Sequence, residues 1–118
     1  MIMSKSLAAD ALLTAVDGGH VAIFAGSENE ARILARWFVD QYPELNVVAE
    51  IIQALSRECM TFPGGGTLTF LSMGMDLVRL RGWALDRCYV PIETKRQFVN
   101  DHLRPCLAAS KDGTLAGY

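Results

Sequence analysis

Residues 20–30, His20-Val21-Ala22-Ile23-Phe24-Ala25-Gly26-Ser27-Glu28-Asn29-Glu30, decide the fold. The run over 20–25 is short and apolar, which suits a strand buried on both faces, as in a parallel sheet. Gly26-Ser27 makes a turn. Ser27 is a good helix N-cap and Glu30 follows three residues later, so the two read as a capping box. A helix is then expected from residue 28 to about 41. Its core stripe is Ala31, Leu34, Trp37 and Phe38. Its wet face carries Glu28, Arg32, Arg36 and Asp40, which form i,i+4 pairs of opposite sign. Pro43 blocks continuation.

Upstream, residues 4–16 (SKSLAADALLTAV) repeat apolar side chains at helical spacing, with Leu7, Ala11, Leu12 and Ala15 inward. Asp17-Gly18-Gly19 ends that helix. Downstream, residues 45–58 are ambiguous: 46–48 look like strand and 49–57 more like helix. Residues 59–62 and 67–72 are β-type runs around Pro63-Gly64-Gly65-Gly66, a hairpin signal. Residues 76–82 read as a short helix or loop. Residues 87–92 (RCYVPI) read as a buried strand whose end Pro91 makes irregular. Thr94 is placed to cap a helix reaching about residue 108, with Phe98, Leu103 and Leu107 inward. Pro105 must kink or end it. Residues 114–118 suit a last strand. The pattern predicts an α/β fold: a small, mostly parallel sheet flanked by helices, with one β-hairpin, and a single domain over 1–118.

Composition narrows the class. The chain has 118 residues, 51% hydrophobic and 20% charged, which excludes a disordered tail. A net charge of -2 disfavours a general basic grip on nucleic acid and leaves room for a local basic patch. Cys59, Cys88 and Cys106 are odd in number and lack a CxxC pair, so buried reduced thiols are expected, with no zinc site or disulfide framework. No apolar run approaches the ~20 residues of a membrane span, and residues 1–10 do not read as a secretory signal. A cytoplasmic protein without membrane contact is the expectation.

Few residues carry a chemical signature. The strand-turn-helix corner at 24–28 is a common place for a ligand. Glu28 and Glu30 already complement the helix dipole there, and would repel a phosphate. No GxGxxG or GxxxxGK[ST] is present, and Lys5, Lys95 and Lys111 follow no glycine-rich loop. His20 reads as an edge residue before a strand, His102 as a solvated helical residue, and Ser27 lacks a GxSxG elbow. Met73 and Met75 around Gly74 suit core filling or a partner surface. Arg79, Arg81 and Arg87 lie close together with Trp83 among them. Two roles fit them: a grip on phosphates with a stacked base, or local neutralisation by Asp76, Asp86 and Glu93. No catalytic residue, metal ligand or cofactor is expected. Arg79, Arg81 and Trp83 are the candidate contacts for nucleic acid or a protein partner. The alternatives are a small enzyme using Asp86, Glu93 and His102, and a structural oligomerisation domain.

The second half carries a longer pattern. Residues 62–73 read FPGGGTLTFLSM, a hairpin around glycine. Residues 77–93 read LVRLRGWALDRCYVPIE, an Arg-Gly step and then a strand. Residues 101–118 read DHLRPCLAASKDGTLAGY, a Leu-Arg-Pro-x-Leu phrase, a glycine turn and another strand. In order and spacing these resemble the ATPase domain of phage terminase large subunits, the DNA-packaging motors. Residues 20–34 (HVAIFAGSENEARIL) are similar to the strand and helix after the P-loop helix of those proteins. The resemblance implies a P-loop-NTPase-like topology, a phage or prophage origin and a role in DNA packaging. It does not bring ATP hydrolysis with it. The Walker A segment and the nuclease domain have no counterpart. Pro91 and Ile92 stand where the metal-binding Asp and catalytic Glu are expected, and Glu93 is one step out of register. Proline cannot hold magnesium. A catalytically silent module is therefore expected.

Overall fold

The structure, a computed structural model, describes residues 3–53, 57–72, 84–108 and 113–118. Helix α1 (Lys5–Val16) starts at Ser4, whose hydroxyl accepts from the Leu7 N–H at 3.2 Å. It stops where the Gly18 and Gly19 N–H groups donate back to Ala15 and Thr14 carbonyls. Strand β1 (His20–Ala25) follows, its residues 21–25 all buried. Helix α2 (Glu28–Gln41) is capped by Ser27, whose hydroxyl accepts from the Glu30 N–H at 3.2 Å.

Among the described residues, six strands form one sheet in the order β2-β3-β4-β1-β5-β6. The others are β2 (Glu50–Gln53), β3 (Arg57–Thr61), β4 (Thr67–Ser72), β5 (Arg87–Val90) and β6 (Thr114–Gly117). β1 lies at the centre, parallel to β4 on one side and to β5 on the other. β6 is parallel to β5, whereas β3 runs against both of its neighbours, β2 and β4. The hairpin β3–β4 pairs Thr61 with Thr67 around Phe62–Gly66, as the glycine run predicts.

Strand alternation sends the side chains of β1 to two cores. Val21, Ile23 and Ala25 meet α1 and α2, with Phe38 at the middle. Phe38 sits edge-on to Phe70 of β4, ring centroids 5.3 Å apart. Ala22 and Phe24 face the opposite side, with Cys88, Val90 and the inward residues Val99, Leu103, Cys106 and Leu107 of a helix over 96–108. The result is a sheet between helical layers, the predicted α/β architecture.

Several local expectations need correction. Residues 45–53 reverse the predicted order: Leu45–Val48 is a helical turn, α3, and the strand follows it at Glu50–Gln53. Pairing of Ile51 with Met60 places this segment on the hairpin, and tertiary pairing overrides a weak helical pattern. The inward arc of α2 is Ala31, Leu34, Ala35 and Phe38, while Trp37 is half-buried against the Phe38 ring. Thr94 does not cap the next helix. Lys95 takes the N-cap position without a side-chain bond, and the Thr94 N–H closes a turn on the Pro91 carbonyl at 2.9 Å. Pro105 does not end that helix. The turn before it widens into a π-helix over Val99–Leu103, with the Arg104 N–H bonded to the Val99 carbonyl. A widened turn gives the proline ring the room that an α-helical turn denies it.

Candidate functional site at the carboxyl edge of the sheet

An open α/β sheet takes ligands at the carboxyl ends of its strands, where successive connections leave for opposite faces. β1 and β5 are such neighbours. After β1 the chain crosses to the first face as α2, and after β5 it crosses to the other as the 96–108 helix. This edge is bordered by Gly26-Ser27 after β1, by 91–94 after β5 and by Tyr118 after β6.

Each border has a definite chemistry. At the first, the Glu30 carboxylate turns back and accepts from the Gly26 N–H at 3.2 Å. The capping box thus closes one residue earlier than its usual form. The amide that an incoming anion would use is held by the chain's own carboxylate. At the second, β5 runs into Pro91, which is buried, and Ile92, which is 80% exposed. Neither side chain bears a metal-binding or proton-accepting atom. Glu93 comes next and is exposed. Between the two, the Tyr118 hydroxyl donates to the Phe24 carbonyl, near the end of β1. Burial pushes the Tyr118 phenol up from its ordinary pKa, and the charges of Glu30 and Glu93 push it further.

The amino edge of the sheet holds the other charged cluster. The Asp86 carboxylate accepts from the His20 N–H at 2.7 Å, and the His20 ring meets the Thr67 hydroxyl at 3.0 Å. Asp86 and Glu93 therefore stand before and after β5, at opposite edges of the sheet, and share no site. His102 lies in the π-helical turn. Arg87 pairs with Asp10 of α1 at 3.1 Å and donates to the Thr14 hydroxyl at 3.0 Å, while the Tyr89 hydroxyl donates to the same Asp10 carboxylate. This tie between α1 and β5 has no sequence signal. Its partners are far apart in the chain, and their types are common. Arg79, Arg81 and Trp83 lie outside the described residues, as do Asp76, Met73 and Met75.

Cys88 and Cys106 are buried as expected, Cys59 is only half-buried, and none of the three is in a disulfide. Among the described residues no group of three His, Cys, Asp or Glu is arranged to hold a metal ion, and no helix is long and apolar enough to cross a membrane.

The architecture has a clear counterpart among solved structures: the fold is that of phage large terminases. A large terminase from a thermophilic bacteriophage matches 94% of the chain at 14% identity, with a TM-score of 0.65. The large terminase of bacteriophage HK97 matches 94% at 15% identity, with a TM-score of 0.64. A mutant of the Thermus phage P74-26 large terminase ATPase domain matches 96% at 16% identity, with a TM-score of 0.61. The chain spans 29% of the first of these, 26% of the HK97 protein and 54% of the P74-26 ATPase domain. At these identities the likeness is one of fold. No protein-family model matches the chain, and no curated protein matches it by sequence.

Proposed function

We propose that this chain is a catalytically silent, terminase-like binding module of phage or prophage origin that works in DNA packaging. The observation that carries the reading is the end of β5. Phosphoryl transfer on such a fold needs a magnesium-binding carboxylate and a base that orients water beside the phosphates. Pro91 and Ile92 occupy that strand end, and the turn closed by the Thr94 N–H carries Glu93 into solvent. The Glu30 carboxylate on the Gly26 N–H adds a second obstacle to a nucleotide phosphate. The large terminase of the thermophilic bacteriophage has been solved in complex with ADP on the same fold, so the scaffold admits a nucleotide where the side chains permit.

Binding is assigned to Arg79, Arg81 and Trp83, whose types suit a nucleic-acid backbone or a protein hot spot. Two measurements test the proposal. ATP at millimolar concentration with magnesium should release no phosphate and should not raise Tm, because any ligand of the native state stabilises it by mass action. Magnesium-dependent hydrolysis or a clear Tm shift defeats the silent reading. For the partner, affinity for duplex DNA should fall steeply with salt. Arg79→Ala with Arg81→Ala should flatten that slope by about one unit per lost phosphate contact. DNA binding absent at low salt, or a slope indifferent to both arginines, removes nucleic acid. A dominant loss from Trp83→Ala then marks a protein partner.

A further inference from the structure

We propose that the solvent face of the 96–108 helix is a docking surface for the phosphate backbone of duplex DNA, carried by Arg96, Asn100 and Arg104. The proposal rests on the functional reading for its class of partner and adds a second contact, separate from Arg79 and Arg81. Phe98, Val99, Leu103, Cys106 and Leu107 of this helix pack on the core. Arg96, Asn100 and Arg104 are left exposed on one line, four residues apart. Eight residues of regular α-helix make about 2.2 turns, so Arg96 and Arg104 would stand roughly 80° apart around the axis. The π-helical turn over Val99–Leu103 holds more residues per revolution and takes back part of that angle. The widened turn thus brings the two arginines toward one face.

The chemistry of that line is one-sided. The Arg104 Nε–H donates to the Asn100 Oδ1 at 2.8 Å. This bond uses the acceptor of Asn100 and orients the Arg104 fork. What remains is donors only: the terminal N–H groups of Arg104, the amide N–H groups of Asn100 and the whole guanidinium of Arg96. Among the described residues no carboxylate pairs with either arginine. Asp101 is the one acid in the 96–108 sequence, against Arg96, Arg104 and the exposed Lys95 just before them; Glu93 precedes the helix. α2 is built differently, since Arg32 and Arg36 each have an acid four residues away, Glu28 and Asp40. A ligand for the 96–108 face must supply acceptors and negative charge over a length of roughly 12 Å, at about 1.5 Å per residue. One DNA strand offers about three to four phosphates over that length, at about 3.4 Å each. A planar guanidinium meets phosphate oxygens two at a time.

The test is the salt dependence of binding to a short fluorescent duplex of mixed sequence, read by anisotropy. Arg96→Ala with Arg104→Ala should flatten the plot of log affinity against log salt by about two units, one per lost phosphate contact, and weaken binding at about 0.1 M salt by tenfold or more. Arg96→Lys with Arg104→Lys keeps both charges, so the slope should stay while part of the affinity is lost. Asp101→Asn removes the opposing charge and should strengthen binding. Asn100→Asp gives Arg104 a partner within the chain and should weaken it. These positions are exposed, and an unchanged Tm checks that each variant is folded. Should the double alanine variant not fold, Asp101→Asn and Asn100→Asp decide by their opposite directions. A slope that responds to Arg79→Ala with Arg81→Ala and not to Arg96→Ala with Arg104→Ala overturns this inference alone. The reverse result removes the assignment to Arg79 and Arg81 and supports this one. A wild-type chain that leaves the duplex free at low salt overturns both contacts.

Discussion

Gly66→Ala tests how closely the hairpin loop is built against α1. A Cβ at Gly66 would overlap the Ala15 carbonyl oxygen and lie 2.9 Å from the Gly19 oxygen. Both obstacles are backbone, so no side chain can swing away. The loop or the end of α1 must shift, and either movement strains the bonds from Phe62 N–H to Gly66 and from Thr67 N–H to Gly19. Two weakened hydrogen bonds at about 1 kcal/mol each, plus overpacking of about 1–3 kcal/mol, give a loss of roughly 3–5 kcal/mol. The neighbouring glycine provides the control. Gly65 has φ 89° and nothing within 4 Å of its Cβ position, so Gly65→Ala meets only the left-handed penalty of about 1–2 kcal/mol. Urea unfolding followed by far-UV circular dichroism measures both. With m about 2 kcal/mol/M for a small protein, the Gly66 variant should lose roughly 1.5–2.5 M in midpoint. A Gly66→Ala protein as stable as the wild type, or more stable than Gly65→Ala, refutes the argument from close approach.

Two further outcomes follow from the cores. Phe38→Ala should cost about 3–5 kcal/mol in the same assay, because the ring is fully buried between α2 and β4; a loss under about 1 kcal/mol would mean that the layer is not packed as described. The Cys88 thiol is pushed up to about 12, first by burial and then by Cys106. The fold therefore favours the neutral thiol, and this contribution is fully present below the ordinary thiol pKa of about 8.5 and is lost as pH rises toward 12. Thiol titration with Ellman's reagent at neutral pH should modify Cys59 first, and Cys88 and Cys106 only with unfolding. Fast modification of all three in the folded chain would contradict the burial.

The legible part of this fold is local. An apolar run, a Gly-Ser turn and a glutamate three residues on suffice for β1 and α2, because each signal acts within a few residues. The glycine run marks the hairpin for the same reason. Residues 45–53 defeat the pattern because Ile51 fits a helix or a strand equally well, and only its partner Met60 decides. Pro105 announces a perturbation, yet no neighbouring residue announces the remedy, one widened turn. The carboxyl edge is half visible. Pro91 and Ile92 stand out through the resemblance, and Glu30 as a capping residue. The reach of Tyr118 to Phe24 and of Tyr89 to Asp10 joins residues 94 and 79 positions apart, which no local pattern announces.

The central place of β1 has a consequence for synthesis. Its partners on the two sides, β4 and β5, begin only at Thr67 and Arg87. A chain emerging from the ribosome at about 5–20 residues per second must therefore carry Val21-Ala22-Ile23-Phe24 for several seconds with neither edge paired. α1 and α2 can shield one surface of that strand in the interval. One backbone edge waits for β4, and the other edge and the other surface wait for β5 and the 96–108 helix, so a ribosome stalled before Arg87 would leave this apolar strand open on one edge and one surface.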